Sequence, residues 1–420
     1  MKSVLHITAH LGGGVGKILS GVAVHSINYQ HKFILLEKPE KETFVKPILL
    51  AGGEIIINPS MDELVLEIEK SDIVQIEWWN HPVMSKLLAY FPKIKTRLVI
   101  WSHVSGCSYP GIPFEFLKVP SQFIFTSEYS FENLGWTESE RSWAKNNVKI
   151  INSCGDFKKF RIRGLERHEN FNIGYIGTLN YSKLSPKTYE FYGELDDDRY
   201  NFIMVGDINE DVKRELEHIN QKTLSKIKFK GYAEDVVSEL SKFDVFSYLL
   251  SDTHFGTTEN ILLEAMAIGL PVIAFNQCTE KYIIKDKETG FLVSSKEEYL
   301  EVIEFLFNHP LERMKIGKSA SNFVFENFSL DKTIQKLDET YDYLLKMEKR
   351  EYSFCEVMGK SPNEWFLNFT GRYKENFKEK KTILKLPYVF RESNKSSIDH
   401  FCRYYDEDLK LKDWNKVLKG

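Results

Sequence analysis

A glutamate inside an apolar helix is the first residue in this sequence that could do chemistry. In "TENILLEAMAIGLPVIAF", residues 258 to 275, Glu264 is the one polar side chain between Ile261 and Ile268. An ionised carboxylate in a core is costly unless strong donors meet it. Glu264 therefore has a partner in the protein, awaits a ligand, or turns to solvent at the helix edge beside Asn260. Three other stretches have a chemical reading. "HITAHLGGGVGK" (6 to 17) places Gly12, Gly13 and Gly14 between a strand-like run and a helix, where free amides suit a phosphate. Glycine also serves a tight strand-to-helix turn without any ligand. Leu11 and Ile18 stand where a Walker A loop needs Gly and Ser or Thr, so that motif is absent. "IGYIGTLNYSKLSPK" (173 to 187) ends a strand at Gly177 and reaches Lys183 near the next helix, placed to neutralise a phosphate or to be an ordinary surface lysine. "IWSHVSG" puts His103 just past a strand end, as a polar contact to a sugar, a proton handler, or a structural hydrogen-bonder.

These residues need elements to hold them. Thr257 or Thr258 is expected to cap the helix that carries Glu264, Gly269 to end it in the left-handed conformation, and "PVIAF" to follow as a buried strand. Over the first ~160 residues, β-like runs alternate with amphipathic stretches: "SVLHIT", "FILLE", "EIIIN", "DIVQIEW", "RLVIW", "QFIFTS" and "VKIIN". The charged stretch "RIRGLERHEN" (161 to 170) reads as a linker. The alternation then resumes with "FNIGYIG", "NFIMVG", "KIKFKG", "VFSYLL", "PVIAF" and "GFLV". This is an α/β pattern of two tandem parallel-sheet domains, with ligands expected beyond the C-terminal strand ends in a cleft between them. The expected divisions are 1–165, 166–345 with a closing helix, and a helical, aromatic-rich extension over 346–420.

Composition bounds the function. The net charge of −4 carries no field that would draw nucleic acid. From Lys346 onward the chain has 17 Lys and Arg against 12 Asp and Glu, a local +5. With Trp365 and Trp414, that extension suits peripheral contact with an anionic membrane face or an acidic partner, as well as plain solvated helices. The five cysteines are scattered and form no C-x-x-C pair, so neither a disulfide framework nor a zinc site is expected. The acidic runs 196–198 and 406–408 read as solvated charge, and no metal is assigned. No run approaches the ~20 apolar residues of a membrane span. The expected location is the cytoplasm, extending to the inner face of the membrane.

Taken together the ordered motifs resemble glycosyltransferases of the GT-B fold, in particular the retaining family four, over roughly residues 1 to 345. "FIFTSEYSFENL" is similar to the family's strand-then-Ser segment, "IINSCGDFKKF" to its domain junction, "IGTLNYSK" to its phosphate-binding turn, and "KIKFKGYAEDV" to its nucleotide segment. "ENILLEAMAIGLPVIA" resembles the family signature most specifically. The resemblance implies two Rossmann-like domains facing a central cleft. It also implies that Glu264 accepts hydrogen bonds from the donor ribose, that Lys183 holds the diphosphate, and that His103 lies near the transferred sugar. These three are the expected catalytic set. Gly13, Gly14, Gly177, Thr178, Gly231, Tyr232, Glu259, Asn260 and Ile261 complete the implied donor site. Two positions depart from the pattern. Thr178 stands where the family usually has Arg, and Gly256 where it has a Glu contacting the donor sugar, with Glu259 or Asp252 as substitutes.

The implied activity is retaining transfer of a sugar from a nucleotide-diphosphate sugar to a glycan or glycolipid acceptor in surface polysaccharide biosynthesis, with no obligatory cofactor. A GT-B phosphorylase or epimerase, and a silent nucleotide-sugar-binding scaffold subunit, are the alternatives.

Overall fold

The computed structural model describes residues 1–163, 170–195, 198–208, 216, 225–393 and 396–419. Most of the stretch read as a linker, and residues 196–197 of the acidic run, lie outside them. The chain divides into two compact units. Unit 1 comprises Met1–Gly155, Phe255–Thr258 and Leu330–Gly420; unit 2 comprises Asp156–His254 and Glu259–Ser329.

Every strand expected from the sequence is present. Unit 1 is built on β1 (Lys2–Thr8), β2 (Tyr29–Leu35), β3 (Glu54–Ile57), β4 (Ile73–Trp78), β5 (Leu98–Ser102), β6 (Gln122–Phe125) and β7 (Lys149–Ile150). They form a parallel sheet in the order β3-β2-β1-β4-β5-β6-β7, whose order reverses between β1 and β4. Both faces are covered, which is why the strands read as continuous apolar runs. Leu5, Ile34, Leu98, Ile100 and Phe125 point to one core. Val4, Phe33, Val99, Trp101 and Ile124 point to the other. Near the C-terminal ends of β1 and β4 the second face turns polar. His6 lies opposite Gln75 in the register, and Glu77 follows two residues on.

The chain from Leu330 onward differs from the expected layout. The helix Leu330–Leu345, expected to close the second domain, packs through Leu330, Leu337, Tyr341 and Leu344 on the second face of the first sheet. Side chains of the extension cover the opposite face: Tyr352, Phe354, Trp365, Phe366, Phe369, Phe390 and Phe401 are buried in its core. The extension is thus part of unit 1, because its aromatic side chains bury most area against the sheet. Trp365, named as a membrane-facing aromatic, is spent in this core. Asp408 of the acidic run 406–408 caps the terminal helix and receives Asn363 N–H at 2.9 Å. Among the described residues no helix is long and apolar enough to cross a membrane.

Phe366 makes the dependence testable. Its ring lies 5.3 Å from Phe401, 5.4 Å from Phe377 and 6.0 Å from Tyr109 of the sheet domain. Phe366→Ala is expected to destabilise unit 1 by about 3–5 kcal/mol, read as a lowered midpoint in urea unfolding. An unchanged midpoint would mean that the extension contributes nothing to the stability of the sheet.

Unit 2 contains β8 (Phe171–Ile176), β9 (Tyr200–Val205), β10 (Ile227–Phe229), β11 (Val245–Tyr248), β12 (Val272–Phe275) and β13 (Phe291–Val293). The parallel order is β10-β9-β8-β11-β12-β13, with its reversal between β8 and β11. Ligands of open α/β sheets gather outside the strand ends at such a point. The loops 177–183 and 249–259 leave β8 and β11 there.

Candidate active site

In unit 2 the loop after β8 is tied down on both sides. Gly177 N–H donates to Val205 C=O at 2.9 Å, Asn180 Oδ1 accepts Ser182 N–H at 3.2 Å, and Lys183 C=O accepts Ser251 N–H at 2.8 Å. A β-carbon on Gly206 would come within 1.9 Å of Gly177 O, so the loop's approach to β9 requires glycine. This places Lys183 Nζ 3.3 Å from Glu259 Oε2 and 5.5 Å from the Tyr248 ring centre. Lys183 precedes the helix Lys187–Glu194 by a turn rather than opening it.

Glu259 is the hub of the unit. It is a buried non-glycine residue in the left-handed region (φ 47°, ψ 62°). Its carboxylate accepts a hydrogen bond from the Tyr248 hydroxyl and lies 3.6 Å from His254 Nδ1. Burial alone would raise its pKa, but the charges of Lys183 and His254 outweigh this and hold it below the usual carboxylate range. Burial and the Glu259 charge push Tyr248 well up. Burial would depress His254, yet the nearby Glu280 carboxylate, 3.1 Å from Nε2, carries it well above the ordinary histidine value. Asp252, the other proposed substitute for the missing glutamate, is exposed.

Glu264 sits mid-helix in Asn260–Ala267, 5 % exposed, with its neighbours Leu262 to Ala267 buried. Facing solvent at a helix edge is therefore not its state. Gly269 ends the helix at φ 93°, as expected. The expected threonine caps are not used. Thr258 Oγ1 bonds Ser153 Oγ at 3.0 Å and Thr257 Oγ1 reaches His103 C=O at 3.5 Å, both within unit 1. Glu259 holds the cap position without a side-chain cap, and its carbonyl accepts the Leu262 and Leu263 amides at 2.9 and 3.1 Å. Asn260 and Ile261 form that first turn, half-buried. Thr178 is exposed beside Gly177; Gly231 (φ 68°) has open space where a side chain would stand, and Tyr232 is exposed. A cavity of 840 Å³ in this unit, lined by Lys285, Phe291, Phe305 and Phe323 among others, contains none of these residues.

In unit 1, His103 follows β5, and its Nε2 lies 2.8 Å from Glu77 Oε2. Glu77 is fully buried on β4. Its other oxygen lies 2.8 Å from His6 Nδ1 and accepts Gln75 Nε2 at 2.8 Å. His6 Nε2 is 2.7 Å from His31 Nδ1, and the Tyr341 hydroxyl donates to Gln75 Oε1 at 2.7 Å. Burial would raise the Glu77 carboxyl, but hydrogen bonds from His103 and His6 more than offset it and the group is held low. Burial keeps His31 neutral, its pKa well below the ordinary value. A carboxylate at Nε2 fixes a proton there and orients the ring, which leaves Nδ1 as its second polar atom. That Nδ1 is buried with no hydrogen-bond partner.

Gly13 is exposed at φ 56°, with nothing within 4 Å of where a side chain would stand, and the helix Gly13–His25 has no side-chain cap. Gly14 is exposed beside it. A trio at the ends of β1, β2 and β4 joins His10, Glu37 and His81, and Tyr404 donates to Glu37. His81 Nδ1 accepts Val83 N–H at 3.4 Å, which keeps the proton on Nε2, 3.4 Å from Glu37 Oε1.

Glu77, Tyr248, His254 and Glu280 were not singled out from the sequence. Glu77 had the same signal as Glu264, a carboxylate inside an apolar run, in "DIVQIEW".

Residues 156–323 match the model of the glycosyl transferases group 1 family. That stretch of the chain is a glycosyl transferases group 1 domain, and the protein is a transferase. It is 23% identical over 305 residues to an uncharacterized glycosyltransferase of Haemophilus influenzae, covering 69% of this chain and 81% of that one. It is 25% identical over 184 residues to the capsular polysaccharide biosynthesis glycosyltransferase CapM of Staphylococcus aureus, covering 43% of this chain and 48% of CapM. Among solved structures it is similar to Anabaena Alr3699/HepE in complex with UDP, with a TM-score of 0.65 and 16% identity over 82% of this chain and all of that one. The fold of this glycosyltransferase is GT-B, with two parallel-sheet Rossmann-like domains. The family match lies within unit 2 except for Phe255–Thr258, and it contains Lys183, Glu259 and Glu264.

Proposed function

We propose that the protein transfers a sugar, with retention, from a nucleotide-diphosphate sugar to a hydroxyl of a glycan or glycolipid acceptor in surface polysaccharide biosynthesis. The observation that carries this reading is that unit 2 holds both a buried Glu264 and a Lys183 fixed by Glu259 in the loops at its strand-order reversal. The donor ribose supplies two hydroxyls to the Glu264 carboxylate, and charge-assisted hydrogen bonds of this kind are strong. Lys183, with the positive end of the helix Asn260–Ala267, stabilises the charge that develops on the leaving diphosphate. The acceptor hydroxyl attacks on the face from which the diphosphate departs and gives its proton to that phosphate. His103, oriented by Glu77, holds a hydroxyl of the transferred sugar through Nδ1. Glu259 acts by positioning Lys183. Thr178 leaves the phosphates one cation short of the family pattern. CapM, named for capsular polysaccharide biosynthesis, and HepE, solved with UDP-glucose, favour this acceptor class and a uridine donor.

A thermal-shift screen against UDP, GDP, ADP, CMP and their sugars tests the donor site, since a ligand bound to the native state raises its melting temperature. One nucleotide family is expected to shift it. Glu264→Ala is expected to weaken that nucleotide by about 10- to 100-fold, the worth of a hydrogen bond to a charged group. Absence of any shift from folded protein would favour a silent scaffold subunit instead.

A further inference from the structure

Three residues distant in sequence meet in the interior of unit 2. His254 lies in the loop after β11, and Cys278 and Glu280 in the turn after β12. One ligand atom from each lies within 4.8 Å of the others, and all three residues are buried. Glu280 is fully buried, yet neither carboxylate oxygen accepts a hydrogen bond. Its Oε1 forms an ion pair with His254 Nε2 at 3.1 Å. A buried carboxylate that accepts no aligned hydrogen bond at either oxygen is costly even beside one cation. Cys278 adopts the left-handed region (φ 45°), uncommon for a side chain of its kind and typical of residues held in a ligand clamp.

We infer that His254 Nε2, Cys278 Sγ and a Glu280 carboxylate oxygen bind a divalent transition-metal ion of the zinc type, with the Asp252 carbonyl as the fourth ligand. The spacings suit a tetrahedron. Bonds of about 2.3 Å to sulfur and about 2.1 Å to oxygen separate those ligands by about 3.6 Å, and a nitrogen and an oxygen ligand by about 3.4 Å. Cys278 Sγ is 3.6 Å from Asp252 O, and His254 Nε2 is 3.1 Å from Glu280 Oε1. Histidine ligands of metals commonly give their other ring N–H to a carboxylate. His254 Nδ1 lies 3.6 Å from Glu259 Oε1. On binding, the Cys278 thiol and His254 Nε2 lose their protons to solvent as their bonds to the ion form, and the Nδ1 proton stays toward Glu259. One thiolate and one carboxylate then balance the two positive charges. The ion is structural: it pins the loops after β11 and β12 and, through His254, the Glu259 carboxylate that holds Lys183.

The test uses tag-free full-length protein purified from zinc-supplemented cells. Elemental analysis is expected to find about one zinc per chain. Replacement of the metal by cobalt is expected to produce tetrahedral d–d bands and a thiolate charge-transfer band. Cys278→Ser should abolish that band, Glu280→Gln should lower the metal content several-fold, and Cys355→Ser, at an exposed cysteine, should change neither. Folded protein with no zinc and no thiolate band would overturn the inference and leave a bare His254–Glu280 ion pair. Metal content unchanged in both site variants would also overturn it. If Cys278→Ser does not fold, the cobalt spectrum of the unsubstituted chain decides alone.

Discussion

Lys183→Ala is expected to lower kcat/KM for the nucleotide-sugar donor by about 10²- to 10³-fold, the usual cost of removing one preorganised donor to developing charge. The loss falls mainly on kcat, because the charge on the diphosphate grows as the glycosidic bond breaks. Lys183 is also one of the charges that keep the buried Glu259 ionised, so stability falls in the same variant. Lys183→Arg separates the two effects by keeping the ion pair while displacing the cation, and should restore stability more fully than rate. Steady-state kinetics and unfolding midpoints for both variants give the answer. A Lys183→Ala enzyme with unchanged kcat would remove Lys183 from the reaction.

Glu77→Gln is the second large effect. Glu77 is fully buried and receives His103, His6 and Gln75 within 2.8 Å. Breaking a buried charged network of this kind costs about 3–5 kcal/mol. The pH dependence has a definite sign. The folded pKa of Glu77 lies below its unfolded value, so its ionised form stabilises the protein above the ordinary carboxylate range. That contribution disappears as the pH falls through the folded value. The gap between wild type and Glu77→Gln should therefore be full at neutral pH and narrow on acidification. Loss of the carboxylate also releases the Nε2 proton assignment of His103, and a fall of about 10- to 100-fold in kcat is expected. Urea unfolding across pH tests the first part; a gap independent of pH would mean that the ionised carboxylate is not what stabilises the fold.

Much of this protein was legible along the chain. Among the described residues all thirteen strands stand out, because parallel strands covered on both faces become uninterrupted apolar runs. Gly269 marks the end of the Glu264 helix because glycine adopts φ 93° without strain. The apolar neighbours of Glu264 left burial and a solvent-facing edge both open, and the structure buries it. The strands and the helix end rest on local periodicity or local backbone chemistry.

Other features exist only once distant segments meet. Thr257 and Thr258 had the right chemistry to cap a helix, but tertiary partners at His103 and Ser153 claim their hydroxyls. The aromatic extension gave no sign of its destination, because amphipathic patterning shows that a face will be buried and not against what; it lies on the first sheet. Nothing local joins His103 to Glu77, or Glu77 to His6, 71 residues away in sequence. Their contact depends on which strands become neighbours and in what register, and that is decided by the energy of packing the whole sheet. The sequence alone therefore determined the elements, the family resemblance and the candidate residues of each loop, while the tertiary structure decided the partners that set their charge and orientation.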